Sequence, residues 1–286
     1  GTLVGSPTNA IAVGLLNKTL GMQIDFVDWL KFGLPIVIVG IPVSAGILIA
    51  VQKIGRHSFD GVKARNVIGA SGPWSVPEKR LVPVVAIVIL GWLLLPEIKN
   101  YFPESALHDG SVAIFGGLLL FMLPDGTGRK LLNWDEADRA PWGVIMMFGG
   151  GLALAAGIIE SGLADWLGLM LEPLKSVPVI VIAIALVALV ILVTEFASNV
   201  ATASGVMPVV ASLILATGVD PVLLAVPAAM AASWGFMLPS GTGPNAIAWA
   251  TGHIELPKML KSGFLLDLAG IPIIIGCIWI VSVVTS

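Results

Sequence analysis

Long apolar runs separated by short polar connections dominate this chain. A helix needs about 20 apolar residues to cross the hydrocarbon of a bilayer, and several runs approach or reach that length. The pattern therefore predicts an all-α polytopic membrane protein. The predicted apolar segments are residues 32–51, 81–95, 111–123, 142–159, 177–215, 221–239 and 263–284.

The segment 194–208, TEFASNVATASGVMP, interrupts the run 177–215 with small polar residues. Non-helical backbone at membrane depth survives only where protein buries it or where it lines a water-filled cavity. We therefore expect Ser198, Asn199 and Thr202 at a tip where two half-helices meet. Such a tip combines free N–H groups, helix-dipole charge and side-chain oxygens, which suits the binding of ions and anions.

Two further segments of small and polar residues interrupt apolar runs, and we call them the first breaker (residues 5–12) and the second breaker (residues 241–248). Their sequences match: GSPTNAIA in the first and GTGPNAIA in the second. An odd number of predicted crossings separates the two copies, so they run in opposite directions. This is the pattern of an inverted-topology repeat, in which paired broken helices mark a binding site near the bilayer midplane. Further matches follow in the same order: Leu30, Lys31, Gly33 and the triplet 40–42 recur at Leu260, Lys261, Gly263 and 270–272.

The repeat suggests a division of the chain. Because the chain begins after the place of a first hairpin, and without Met or a signal sequence, we expect the C-terminal part of a longer protein with an incomplete N-terminal half. The expected parts are the end of a first repeat (1–52), a cytoplasmic loop (53–80) and a second inverted repeat (81–286). The second repeat would hold scaffold spans 81–160, a hairpin 177–216, a broken helix 221–251 and a last span 262–285.

Composition agrees with a membrane location. The chain is 57% hydrophobic and 12% charged, whereas a soluble domain carries about 25% charged residues. Cys277 is the single cysteine, so no intrachain disulfide forms.

The positive-inside rule assigns the most basic loop to the cytoplasm. The rule also requires the chain to leave the run 177–215 on the side of the membrane where it entered. A re-entrant hairpin and a pair of full crossings both return the chain to the side of the membrane where it entered. The loop's basic residues are Lys53, Arg56, Lys63, Arg65, Lys79 and Arg80.

Three motifs carry a family resemblance: TEFASNVATASGVMPVV, FMLPSGTGPNAIAWATGHI and VGSPTNAIA. They resemble the divalent anion/sodium symporters, which transport dicarboxylates, citrate or sulfate. The resemblance implies an elevator-type fold of eleven spans with two opposed hairpins, in a homodimer surrounded by lipid in the bacterial cytoplasmic membrane. It further implies bound sodium ions, a small anion as substrate, no enzymatic activity and no nucleic-acid partner.

The resemblance also implies a binding site. At the hairpin tip, Val200 stands where the family often has Thr, and Gly243 stands where it often has Pro. The family has a Ser-Asn-Thr sequence at the tip of each of its two hairpins, and this sequence contains only one hairpin tip. We therefore expect the chain to supply half of the binding site. No Lys or Arg lies in the breakers, which leaves helix N-termini, Asn amides and bound cations to neutralise a dianion. The implied substrate contacts are Ser198, Asn199, Val200, Thr242, Gly243, Ser6 and Pro7, and the implied sodium contacts are Thr194, Ala197, Asn199, Gly241 and Gly5.

Other functions fit parts of the sequence. A sulfate or arsenite transporter coupled to protons or sodium is the nearest alternative. A membrane-embedded hydrolase would use Ser204 and His253 as a dyad, and a non-transporting scaffold or regulatory fragment would need no site.

The sequence also gives expectations for single residues in the apolar segments. Glu195 is an intramembrane acid that either binds a proton or ion or makes a structural hydrogen bond. Asp267 is expected to be a packing or interfacial group. Trp29 is expected to be an interfacial anchor, and Trp234 and Trp249 are possible walls of the site.

Overall fold

The computed structural model describes residues 1–52, 61, 72–102, 107–140 and 142–285. The basic residues Lys53, Arg56, Lys63 and Arg65 of the expected cytoplasmic loop lie outside these ranges. Within them, twelve α-helices are joined by turns and short 3-10 segments. They are α1 (Pro7–Leu20), α2 (Phe26–Gln52), α3 (Val76–Tyr101), α4 (Asp109–Met122), α5 (Trp134–Ala137), α6 (Gly143–Glu160), α7 (Leu163–Leu171), α8 (Val179–Phe196), α9 (Asn199–Thr217), α10 (Pro221–Ala231), α11 (Gly243–Ala250) and α12 (Leu256–Thr285).

Six of these helices are long and apolar enough to cross a membrane: α2, α3, α6, α8, α9 and α12. The helices α4 and α10 are apolar but shorter, with 14 and 11 residues. The prediction of an all-α polytopic membrane protein is therefore confirmed.

Helix ends follow local capping. Helix α3 begins at Val76, five residues before the predicted start, because Ser75 and Glu78 form a capping box that satisfies free N–H groups at the helix start. Helix α1 continues to Leu20 and ends at Gly21, whose φ of 66° is the left-handed geometry that favours glycine at a helix end. Sequence periodicity alone did not locate the start of α3.

One compact unit comprises Gly1–Ile24, Asp28–Arg56 and Gly143–Ser286. Helix α9 is its centre and packs against α1, α6, α7 and α10, while α8 packs against α10 and α12. Close approach needs small residues: a Cβ on Gly151 of α6 would lie 3.1 Å from the backbone oxygen of Ser204 on α9. Trp29 is fully buried in this unit, so the prediction that it anchors the chain at an interface is wrong.

The second compact unit comprises Asp25–Val27 and His57–Trp142. Its helices α3 and α4 pack together, and the rings of Phe26 and Trp92 stack at 4.9 Å. After α4, the buried carboxylate of Asp125 accepts hydrogen bonds from the backbone N–H and the hydroxyl of Thr127. These bonds, the backbone one foremost, hold the pKa of Asp125 below its ordinary value. The polar loop that follows α4 is thus ordered by its own hydrogen bonds.

Candidate functional site

The hairpin tip lies where the polar breaker predicts it. Helix α8 ends at Phe196, Ala197 and Ser198 are extended, and α9 begins at Asn199. The Ser198 hydroxyl accepts the N–H of Ala201 at 3.2 Å, which is an N-cap bond. The tip therefore presents the positive end of the α9 dipole next to extended backbone.

Thr194 connects the tip to the next broken helix. Its side chain is fully buried, and its Oγ1 lies 2.8 Å from Asn199 Oδ1 and 2.8 Å from the carbonyl oxygen of Ala232. A threonine hydroxyl has one hydrogen to donate, so it serves one of these two acceptors at a time. Three oxygens thus converge with one hydrogen among them, an oxygen-rich arrangement that suits a hard cation.

Glu195 holds the loop between α10 and α11. Only 2% of its surface is exposed, and its two carboxylate oxygens each accept a backbone N–H, from Met237 and Leu238, at 2.9 Å. These N–H groups belong to the irregular loop 232–242, where a helix would otherwise pair them. The structural hydrogen bond expected as one interpretation of Glu195 is present.

Asn245 completes the same loop from its other end. Its Nδ2 donates to the carbonyl oxygens of Gly235 and Leu238, both at 3.1 Å. A Cβ on Gly241 would lie 3.6 Å from the backbone oxygens of both Thr194 and Glu195. The end of α8 therefore lies beside Gly241 of the second breaker.

The first breaker is built in the same way as the second. Asn9 Nδ2 donates to the carbonyl oxygen of Thr2 at 2.9 Å, and Thr2 precedes Asn9 by seven residues, as Leu238 precedes Asn245. Ser6 is the N-cap of α1, as Thr242 is of α11. The sequence match between the two breakers thus extends to equivalent hydrogen bonds.

A cavity of about 530 Å³ adjoins the first breaker. Gly5, Ser6 and Asn9 line it together with Ser233, Trp234 and several residues of α2, and Ser233 Oγ lies 3.5 Å from Asn9 Oδ1. None of its described lining residues belongs to the hairpin tip.

The predicted site residues thus fall into two groups. Thr194, Asn199 and Gly241 share the contacts at the second breaker, which Ala197, Ser198, Val200, Thr242 and Gly243 adjoin along the chain, whereas Gly5, Ser6 and Pro7 belong to the first breaker.

Sequence reasoning named Asn245 together with Asn199 as a part of the expected site but missed Ala232 and Asn9. Asn9 holds the same place in the repeated motif as Asn245, which is the signal that could have identified it. The carbonyl of Ala232 carries no sequence signal, because any residue type offers a backbone oxygen.

The alternative of a serine hydrolase is wrong. The Ser204 hydroxyl is buried on α9 and makes no hydrogen bond within the described part of the chain, while His253 is exposed in the turn after α11. A catalytic dyad requires a hydrogen bond between the nucleophile and its base.

The chain is similar to known membrane transport proteins. The family model of the sodium:sulfate symporter transmembrane region matches residues 1–285. The chain is 37% identical over 285 residues to the sodium-dependent dicarboxylate transporter SdcS of Staphylococcus saprophyticus, covering 96% of this chain and 54% of the relative. It is 38% identical over 290 residues to SdcS of Staphylococcus aureus strain USA300, covering 98% of this chain and 55% of the relative.

The chain spans about half the length of these curated relatives. Its six apolar helices make it an integral membrane protein, and its relatives are named transporters, not enzymes. The match covers nearly every residue, and the chain belongs to the family of the sodium:sulfate symporter transmembrane region.

Proposed function

We propose that this chain is part of a secondary active symporter that moves a divalent anion, a C4-dicarboxylate or a similar solute, across the bacterial cytoplasmic membrane together with sodium. The hydrogen-bonded contact between the hairpin and the loop 232–242 carries the proposal, because it gathers oxygens at a helix break inside an apolar bundle. The relatives named sodium-dependent dicarboxylate transporters support the same function.

One sodium ion would bind at the second breaker. Its ligands would be the side-chain oxygens of Thr194 and Asn199 and the backbone oxygens of Ala197 and Gly241. The surplus of acceptors around the Thr194 hydroxyl supports this assignment, since a cation satisfies oxygens that no hydrogen reaches. Gly5 would contribute to a second sodium site at the first breaker.

The substrate's carboxylates would bind at the helix N-termini. Helices α1, α9 and α11 begin at the breakers with capping hydroxyls, and their dipoles favour negative charge there. The breakers contain no Lys or Arg, so bound sodium would offset the second charge of the anion. The substrate contacts would be Ser198, Asn199, Val200, Thr242, Gly243, Ser6 and Pro7.

Transport would use an inverted repeat that moves as an elevator within a homodimer. The equivalent hydrogen bonds of Asn9 and Asn245 support a duplication, and inverted repeats place such broken helices on either side of one midplane site. In this arrangement α8 and α9 form a re-entrant hairpin.

Uptake into proteoliposomes tests the proposal. The protein, expressed from its complete reading frame, should accumulate labelled succinate when sodium is outside, and choline in place of sodium should abolish uptake. Labelled sulfate distinguishes the alternative that the family description suggests, because a sulfate transporter would accumulate labelled sulfate and not labelled succinate. Uptake driven equally well by a proton gradient in choline would overturn sodium coupling.

A further inference from the structure

The side chain of Trp234, in the loop 232–242, lies against two helices that carry the two copies of the sequence repeat. On α2, a Cβ added to Gly40 would lie 3.3 Å from the ring carbon Cη2. On α12, a Cβ added to Gly270 would overlap with the pyrrole part of the same ring. These two glycines are the first residues of the repeated triplets. The indole therefore occupies a space that glycine at position 270 leaves open.

A hydrogen bond fixes the indole to α12. Its Nε1 donates to the carbonyl oxygen of Leu266 at 3.0 Å, and the ring of Phe236 meets it edge-on with the ring centroids 5.5 Å apart. An indole nitrogen only donates, and removing it from water without an acceptor would cost free energy. The bond to α12 and the glycine contacts therefore hold the ring in one orientation.

The two residues before Trp234 contact the proposed binding sites. The carbonyl oxygen of Ala232 accepts the hydroxyl of Thr194 at 2.8 Å, and Ser233 Oγ lies 3.5 Å from Asn9 Oδ1 of the first breaker. Backbone hydrogen bonds to the end of α10 join Ser233 and Trp234 in one turn. A displacement of the indole would therefore displace both contacts.

The Ala232 carbonyl influences how Thr194 can serve a cation. When the Thr194 hydroxyl donates to this carbonyl, its own lone pairs and the Asn199 Oδ1 atom remain available to sodium. When the hydroxyl donates to Asn199 instead, it occupies a lone pair of an oxygen that would bind the ion. A carbonyl held at hydrogen-bond distance favours the first arrangement, so its position affects sodium affinity although it is not among the proposed ligands.

We infer that Trp234 is a positioning residue of the transporter. Its indole, fixed by α2 and α12, holds Ala232 in place for sodium binding at the hairpin and Ser233 in place for anion binding at the first breaker. The inference rests on the proposed function, because it takes sodium and the anion to bind there. Trp234 supplies no ligand to the sodium ion, and a tryptophan that only filled space would change stability alone.

Sodium titration of succinate uptake tests this role in the protein expressed from its complete reading frame. Trp234→Phe keeps an aromatic ring and loses the N–H. Trp279→Phe is the matched control, because Trp279 is also half-buried and its Nε1 donates to the Leu223 carbonyl at 3.1 Å, about two turns of α10 before the loop. The half-saturating sodium concentration should rise about threefold to tenfold in Trp234→Phe, which corresponds to the loss of one neutral hydrogen bond. In Trp279→Phe it should equal that of the parent.

Succinate affinity and stability separate positioning from packing. The half-saturating succinate concentration should rise together with that of sodium in Trp234→Phe, while the maximal rate at saturating sodium and succinate is retained. Both variants lose the same kind of hydrogen bond, so their thermal unfolding midpoints in nanodiscs should fall by similar amounts. Equal half-saturating concentrations in Trp234→Phe and Trp279→Phe would overturn the inference, as would a lower maximal rate with unchanged half-saturating concentrations.

Gly270→Ala provides a rescue experiment. Its methyl group overlaps with the indole, so the variant should raise the half-saturating sodium concentration at least as much as Trp234→Phe does. Phenylalanine lacks the pyrrole ring, so the double variant should behave like Trp234→Phe alone, whereas additive losses would contradict the proposed contact. Where Gly270→Ala is not recovered from the membrane, recovery of the double variant shows the same rescue, and loss of both contradicts it.

The parent separates the two proposals. Uptake by the parent that does not depend on sodium refutes the proposed function. Sodium-dependent uptake by the parent with unchanged half-saturating concentrations in Trp234→Phe refutes the positioning role alone.

Discussion

Replacing Thr194 by valine removes one hydroxyl from the centre of the proposed sodium site. The side chain is fully buried, and valine has nearly the same shape, so the packing around it is retained. What disappears is the hydrogen shared between Asn199 Oδ1 and the Ala232 carbonyl, together with the oxygen that would ligate sodium.

The size of the effect follows from the number of acceptors. One hydroxyl hydrogen serves one acceptor at a time, so the variant leaves one further buried acceptor without a donor, at a cost of about 1–3 kcal/mol. The free energy of unfolding should fall by that amount. If the lost ligand weakens sodium binding by a similar energy, the half-saturating sodium concentration rises by about fivefold to 150-fold.

Sodium titration of succinate uptake measures this change. Thr217→Val is the matched control, because the Thr217 hydroxyl donates to Leu213 of its own helix and adjoins no breaker. Thr194→Ser should restore most of the sodium affinity. The reasoning is refuted if Thr194→Val and Thr217→Val have the same half-saturating sodium concentration.

Two further predictions concern packing and pH. Gly263→Ala should lower stability by about 1–3 kcal/mol in thermal unfolding, because its Cβ would overlap with the backbone of Met237, whereas Gly276→Ala faces open space and should be neutral. Hydrogen bonds from Thr127 hold the pKa of Asp125 low, so this carboxylate stabilises its loop above about pH 4 and ceases to do so as pH falls through the lowered pKa. As pH falls below about 4, the protection factor of the Thr127 amide hydrogen against exchange should fall more in the parent than in Asp125→Asn, and an equal fall would contradict this.

The break in the hairpin was predictable because its cause is local. Polar Ser198 and Asn199 interrupt an apolar run, and serine is a preferred N-cap residue. The predicted break and the observed start of α9 therefore coincide. The same reasoning located the start of α11 within the second breaker.

The end of α10 was not predictable from the local pattern. The sequence suggests a half-helix to about Pro239, because Trp234, Phe236 and Met237 continue the apolar run, but the helix ends at Ala231. The N–H groups that a longer helix would pair internally are bonded instead by Glu195, some 40 residues earlier in the chain. A hydrogen-bond partner so distant in the sequence cannot be found from a local hydrophobic pattern.

The loop 232–242 contacts both the hairpin and the first breaker, which makes it the natural route of coupling. The Trp234 ring packs against Gly40 of α2 and Gly270 of α12, the first residues of the two repeated triplets, and its Nε1 donates to Leu266 at 3.0 Å.

The ends of the same loop contact the two breakers. Ser233 contacts Asn9 of the first breaker, and Ala232 contacts Thr194 of the hairpin. A sodium ion on Thr194, whose hydroxyl contacts the Ala232 carbonyl, therefore acts on a segment that also lines the cavity beside Ser6. Linkage requires the effect to be reciprocal: whatever factor sodium adds to anion affinity, the anion must add to sodium affinity. Because both effects pass through these few contacts, a change in the loop should alter the two affinities together.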